Sequence, residues 1–168
     1  FPLSYSLDHT TVLARSVLDA ALMLQATAGY DPNDENSSTE PVPDFMAKIG
    51  KSIKGMKIGL ARGFSHEDVD EDVVKVMKEA VSVLRSLGAK VEDVEMPYVR
   101  HCVHIYAAIM NPEAAAIHYQ TLRETPEKLG ARARSRLDLG NAIPATAYVH
   151  AQRVRKLMRD AYRDLLKG

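Results

Sequence analysis

The sequence predicts an α/β protein: one βαβ unit with parallel strands, followed by a helix-rich remainder. Three observations carry that expectation. Met56 to Ala61 and Val91 to Met96 are short runs with strand character, the stretch between them repeats apolar residues at helical spacing, and everything from Tyr98 onward is helical in pattern. Composition agrees. The 168 residues are 46% hydrophobic and 26% charged, which is ordinary globular usage and excludes disordered, collagen-like and low-complexity classes. A chain of this length buries roughly 70% of its unfolded surface, so a packed core is expected.

Taken in order, the first helix starts at Ser16, a good N-cap with Asp19 three residues on; Ala20, Ala21, Leu24 and Ala28 repeat at helical spacing and Gly29 can close the end. Leu18, Leu22 and Met23 make its other side apolar as well, so a buried helix is expected. From Gly29 to Gly50 turn formers crowd together, among them Asp31-Pro32, Asn36-Ser37-Ser38 and Pro41-Val42-Pro43, and this is the expected flexible loop. After the first strand, acidic residues from Glu67 to Asp72 suit a helix N-terminus. Val73, Val76, Met77, Ala80, Leu84 and Leu87 form the apolar stripe of the helix that follows, Gly88 ends it, and Pro97 stops the second strand. Two strands joined through a helix are parallel, with a right-handed crossover.

The helical remainder is expected to break at Asn111-Pro112, at Thr125-Pro126 and from Gly140 to Pro144, with Pro144 placed to start a helix. In the last helix Ala147, Ala151, Val154, Met158, Ala161 and Leu165 form one seam. The whole reads as a single partial domain over 1–168: a leading segment and buried helix (1–28), a loop (29–55), the βαβ unit (56–97) and a helical region (98–168).

Lys plus Arg is 22 and Asp plus Glu is 22, so no net charge draws the chain to nucleic acid or to an anionic membrane. The charge is nevertheless uneven: Ala131 to Gly168 holds nine Lys and Arg against three Asp, and Phe1 to Ala47 holds seven acids and only Arg15. The single Cys102 cannot form an internal disulfide, no run reaches the roughly 18 apolar residues of a spanning helix, and a cytoplasmic setting is the default. The opening Phe1-Pro2-Leu3 resembles neither a translation start nor a signal peptide and reads as the beginning of a piece of something longer.

Isolated chemical signals are weak. His101 and His104 flank Cys102 and could share a helix face, but no further ligand stands at a matching spacing, so no metal is expected. Gly50-Lys51-Ser52 lacks the upstream glycine and strand of a phosphate loop, and the acceptor pattern Asn36-Ser37-Ser38 is ordinary loop chemistry. The arginines of the tail, with only Tyr148 and Tyr162 among them, make a solvated helix face and not a stacking platform for RNA. No serine sits in a nucleophile elbow.

Strings of residues carry more. Pro2-Leu3-Ser4-Tyr5-Ser6-Leu7-Asp8-His9, Ala14-Arg15-Ser16-Val17, Asp19-Ala20-Ala21 and Gly29-Tyr30-Asp31-Pro32, then Pro43-Asp44-Phe45, Lys54 to Gly59, Leu87 to Val91, Met96-Pro97 and Ala145 to Arg155, stand in an order and spacing that resemble the amidase signature family downstream of its catalytic serines. The resemblance implies part of an amidase-signature α/β/α fold. It implies a parent that cleaves the C–N bond of a small-molecule carboxamide with a Lys, a bridging Ser on a cis peptide and a nucleophilic Ser, all upstream of Phe1, so this chain would hold no catalytic residue and be inactive alone. Asp8 matches the Asp of the family's Ser-Leu-Asp element, which is similar to an acid that pairs an Arg beside the nucleophile and orients it; the residues alone equally fit a turn before the helix. Thr11-Val12 departs from the Gly-Pro that many members carry there.

By the same resemblance the helices from Tyr98 to Gly168 help wall the substrate pocket. No cofactor is implied, and the partner is a small-molecule amide, with neither nucleic acid nor membrane; exposed surfaces of a fragment would favour self-association or a homodimer. Two other readings stand beside this one: the amidase (A) subunit of a glutamine-dependent tRNA amidotransferase, and a non-catalytic binding module.

Overall fold

The computed structural model describes residues 2–62 and 69–167, and two of its α-helices begin at a side-chain N-cap. The chain divides into two compact units, Phe1–Ser52 and Ile53–Gly168. In the first unit Ser16 caps α1 (Val17–Thr27), its Oγ accepting the Asp19 N–H at 3.1 Å. The helix closes on Ala28 in an extended conformation, with no left-handed turn at Gly29. Contrary to the sequence expectation, none of its residues is buried; Val17, Leu22 and Met23 are each more than half exposed. Apolar composition records what a helix is suited to contact, and within these residues that contact is missing.

The loop that follows has no helix or strand but is stitched by side chains. Asp31, Asp34 and Asp44 each accept the backbone N–H two residues on, at 2.9 Å. Ser37 Oγ takes the Asp31 N–H, and Gln25 Oε1 reaches from α1 to the Phe45 N–H, both at 2.9 Å.

The second unit opens with the βαβ element. β1 (Lys57–Arg62) and β2 (Lys90–Glu95) pair in parallel, Lys57 opposite Lys90 and Arg62 opposite Glu95, with α2 (Glu71–Ser86) between them in sequence. Asp70 caps α2 by accepting the Asp72 N–H at 2.9 Å, while Glu67 and Asp68 of the acidic run lie outside the described residues. The helix ends in a left-handed residue, Gly88 at φ 89, and the Ala89 N–H returns to the Leu84 carbonyl. A side chain at Gly88 would be strained by that φ and would meet Lys54 at 3.0 Å.

One expectation about α2 is overturned. The half-buried apolar residues of the helix are Val74, Val81 and Leu84, whereas Val73, Val76, Met77 and Leu87 of the expected stripe are each at least 51% exposed. Both sides are apolar, so periodicity found a stripe but could not say which side meets the sheet.

Beyond β2 a 3₁₀ turn (Val99–His101) leads into α3 (Cys102–Ile117), followed by α4 (Tyr119–Glu124), a second 3₁₀ turn (Pro126–Lys128), α5 (Ala131–Ala142) and α6 (Ala145–Leu165). The break at Thr125-Pro126 occurs as expected, and α6 starts directly after Pro144. The break expected at Asn111-Pro112 does not occur: α3 runs through Pro112. An internal proline costs about 3 kcal/mol. Here the same turns carry the core, with Ile109, Met110, Ala114 and Ala115 buried, and burial of one such aliphatic side chain alone returns about 1.5–3 kcal/mol. Gly140 likewise lies inside α5, and the chain turns only at Ile143. None of the described helices is long and apolar enough to cross a membrane.

α5 and α6 both pack on α3. The α5 crossing is closest at Gly140, where a Cβ would lie 2.1 Å from the Asn111 carbonyl oxygen and 2.9 Å from the Ala115 Cβ. Backbone stands on one side of that contact, so no side chain can swing aside. Gly140→Ala is therefore expected to destabilise the Ile53–Gly168 unit by about 1–3 kcal/mol or more. Urea unfolding followed by helical circular dichroism measures it, with Gly130→Ala, at a site with nothing within 4 Å, staying within about 0.5 kcal/mol of the parent.

Candidate functional site

The chemistry-bearing side chains that the fold brings together lie on α3 and α6. Glu113 follows Pro112 in the most buried part of α3 and is only 8% exposed. An ionised carboxylate so placed needs its lost hydration replaced by donors. α6 supplies two: the Tyr148 hydroxyl donates to Glu113 Oε1 at 2.8 Å, and Gln152 Nε2 donates to the Tyr148 oxygen at 3.0 Å and lies 3.4 Å from the same Glu113 oxygen. Tyr148 and Gln152 stand four apart and share one side of α6. Arg155 Nη1 extends the series to Gln152 Oε1 at 3.5 Å. Among the described residues no buried side-chain polar atom lacks a partner.

The environment acts on the phenol. Burial, and then the bond to the Glu113 carboxylate, hold Tyr148 above its ordinary value of 10.0, because a phenolate there would be poorly hydrated and would face a second anion. Asn111 and His118, also on or at the end of α3, are buried as well. The layer is thus an apolar helix interface with one charged seam through it.

Asp8, the residue singled out by sequence, lies in the other unit. Its Oδ2 accepts the Leu3 N–H at 2.7 Å, and its own N–H donates to the Ser4 carbonyl at 2.9 Å around the buried Ser4. The amides of Leu3 and then Ser4 lower its pKa below the usual 3.8. The turn's stability is accordingly full above that value and is lost as pH falls through the lower folded pKa.

Sequence reasoning passed over Glu113, Tyr148 and Gln152. A signal was present: Glu113 is the one acid in the apolar run from Ile105 to Ile117, and an isolated acid at core spacing asks for a donor from another element.

Comparison with known proteins identifies the family. The family description "Amidase" matches residues 1–168. This chain belongs to the amidase family. An amidase of Pseudomonas putida is 41% identical over 163 residues, which take in 97% of this chain and 35% of that protein. The A subunit of the glutamyl-tRNA(Gln) amidotransferase of Geobacter sp. (strain M21) is 36% identical over 186 residues, 96% of this chain and 38% of that one. An inhibitor-bound structure, described as a vestigial protein complex that reveals the origins of an s-triazine catabolic enzyme, superposes with a TM-score of 0.86 at 28% identity over 99% of this chain and 35% of its own. The amidase-family chain thus spans little more than a third of the length of these relatives, and its mixed helix and strand architecture is theirs.

Tyr148→Phe takes the best donor from a buried carboxylate and is expected to cost about 1–3 kcal/mol in urea unfolding. Glu113→Ala with Tyr148→Phe should cost less than the two single changes together, by about 0.5–3 kcal/mol. The pH profile separates this from simple packing. Below pH 10 folded and unfolded chains both keep the phenol proton; above it the unfolded chain releases the proton first, so stability falls until the folded pKa is passed, and Tyr148→Phe should flatten that fall.

Proposed function

We propose that this chain is the non-catalytic portion of an amidase that hydrolyses the C–N bond of a small-molecule carboxamide, with a Ser-cisSer-Lys triad upstream of Phe1. One observation carries the choice of a hydrolase over an amidotransferase component. The Pseudomonas amidase aligns over 163 positions that equal 97% of 168 residues, whereas the Geobacter protein needs 186 positions to take in 96%, so about 25 of them have no counterpart here.

In this reading the neutral Lys draws the proton of the nucleophilic Ser through the bridging Ser hydroxyl as the nucleophile attacks the amide carbonyl, and backbone amides hold the oxyanion. The relayed proton leaves with the amine, and water then releases the acid. The chain described here contributes position. Asp8 keeps one oxygen on the Leu3 amide and has acceptor capacity left for an Arg beside the nucleophile, so its role is orientation and not proton transfer. α3 and α6, locked by Glu113 and Tyr148, form a stiff wall for the substrate pocket.

The exposed apolar sides of α1 and α2 fit the same reading, since they match surfaces that other parts of a longer protein cover. They also favour self-association of the 168-residue chain when it stands alone.

The test uses two proteins. The 168-residue chain is expected to remain unlabelled by a serine-reactive fluorophosphonate and to leave a panel of simple amides intact. A chain extended upstream through a Lys and a Gly/Ser-rich segment should be labelled and should release ammonia from amides with no glutamine and no partner chain. Saturable, serine-dependent turnover by the short chain would overturn the reading, and an absolute need for partner chains and glutamine in the long one would replace it with the amidotransferase.

A further inference from the structure

We propose that the groove at the carboxyl ends of β1 and β2 binds a small dipolar molecule, one that carries a carboxylate and a cationic nitrogen on an apolar body: the amino-acid class. The groove holds about 630 Å³, within the range of small-molecule sites, and lies where parallel strands of α/β units most often receive ligands. It is separate from the Glu113 network, and its argument does not rest on the amidase reading.

The class of ligand follows from which charges are already used. Arg62 and Asp93 on the two strand ends neutralise each other in an ion pair. Glu95, Arg100 and His101 also line the groove, and their side chains make no hydrogen bond or ion pair among the described residues. One free carboxylate thus faces the same space as a free guanidinium and an imidazole, above a floor of Met96, Pro97 and the buried Val99. A bare anion would gain Arg100 and meet repulsion from Glu95; a bare cation would have the reverse experience. A molecule with both charges satisfies both ends, with the planar guanidinium fork matched to its carboxylate.

The backbone places these groups by an unusual route. Tyr98 is the one non-glycine residue with positive φ among the described residues, at 63°, and it turns the chain between Glu95 and Arg100. That conformation disfavours a residue with a Cβ and persists where the surroundings impose it. Here buried Val99 on one side and the His101 N–H bonded to the Tyr98 carbonyl at 2.9 Å on the other hold it.

The experiment is a ¹H–¹⁵N NMR titration of the 168-residue chain with L-leucine, with isovalerate and isoamylamine as its two half-ligands. Saturable shifts are expected at the amides of Glu95, Met96 and Tyr98 to His101, with a Kd of about 1–10 mM, and each half-ligand should bind at least about tenfold more weakly. Arg100→Ala and Glu95→Gln are exposed changes that leave the rest of the spectrum in place, and each should weaken leucine about tenfold. The site is overturned if these amides do not shift up to about 50 mM leucine, or if the two variants bind as the parent does. The dipolar class is overturned if isovalerate alone binds as tightly as leucine. None of the probes contains a scissile amide, so failure here and failure of the amidase reading are separate outcomes.

Discussion

A carboxylate can sit between packed helices only where something replaces the water it has lost, and the helical half of this chain is organised around meeting that condition at Glu113. Two of its donors come from one side of α6, and both reach Glu113 only when α6 lies on α3 at a register that brings Tyr148 and Gln152 together. A hydrophobic seam tolerates small slips; a charged seam does not. The alanines of α6 bring the helix close, Ala151 being buried, and the carboxylate selects one arrangement among those that closeness allows. On the neighbouring side Gly140 sets the approach of α5 by having no side chain at all. α3 is therefore fixed from two directions, once by a polar demand and once by a steric one.

Much of this architecture was legible in the residues, and the reasons differ by element. Ser16 announced a helix start because an N-cap is a local event, the acids before α2 announced another because charge at a helix N-terminus is local too, and Gly88 announced a helix end because its conformation suits the return of the chain. The parallel pairing followed from chain length between strands. What periodicity could not supply was direction: α2 is apolar on two sides, and the choice between Val74 with Val81 and Val73 with Val76 depends on a sheet that is distant in sequence. Pro112 misled for a related reason, since a local breaker was outweighed by the core packing of the turns around it. Glu113 belongs to the same group, because its partners stand 35 and 39 residues away.

Membership of the amidase family changes how the exposed apolar sides are understood. A helix such as α1, apolar around its circumference and nowhere buried, is a poor candidate for an independent unit; in a chain spanning little more than a third of its relatives, the same helix is suited to contacts beyond these residues. The two-stranded parallel sheet is similar. Parallel sheets occur almost always enclosed on both faces, and β1 and β2 show only half-buried and exposed positions. By contrast, α5 and α6 pack on α3 within the chain, and the three helices hold most of the buried apolar residues among those described, Ile109, Met110, Ala114, Ala115, Leu137 and Ala151.

The separation between Glu113 and Tyr148 also matters to the chain as it is made. Synthesis at about 5–20 residues per second puts about 2–7 s between the appearance of the carboxylate and that of the phenol 35 residues later. During that interval Ile109 and Met110 of α3 lack the cover of α6, and the Glu113 carboxylate lacks the Tyr148 hydroxyl. The bond between them therefore closes only after the intervening α4 and α5 have been made, so the last helix to be synthesised completes a contact opened by the first of the helical half.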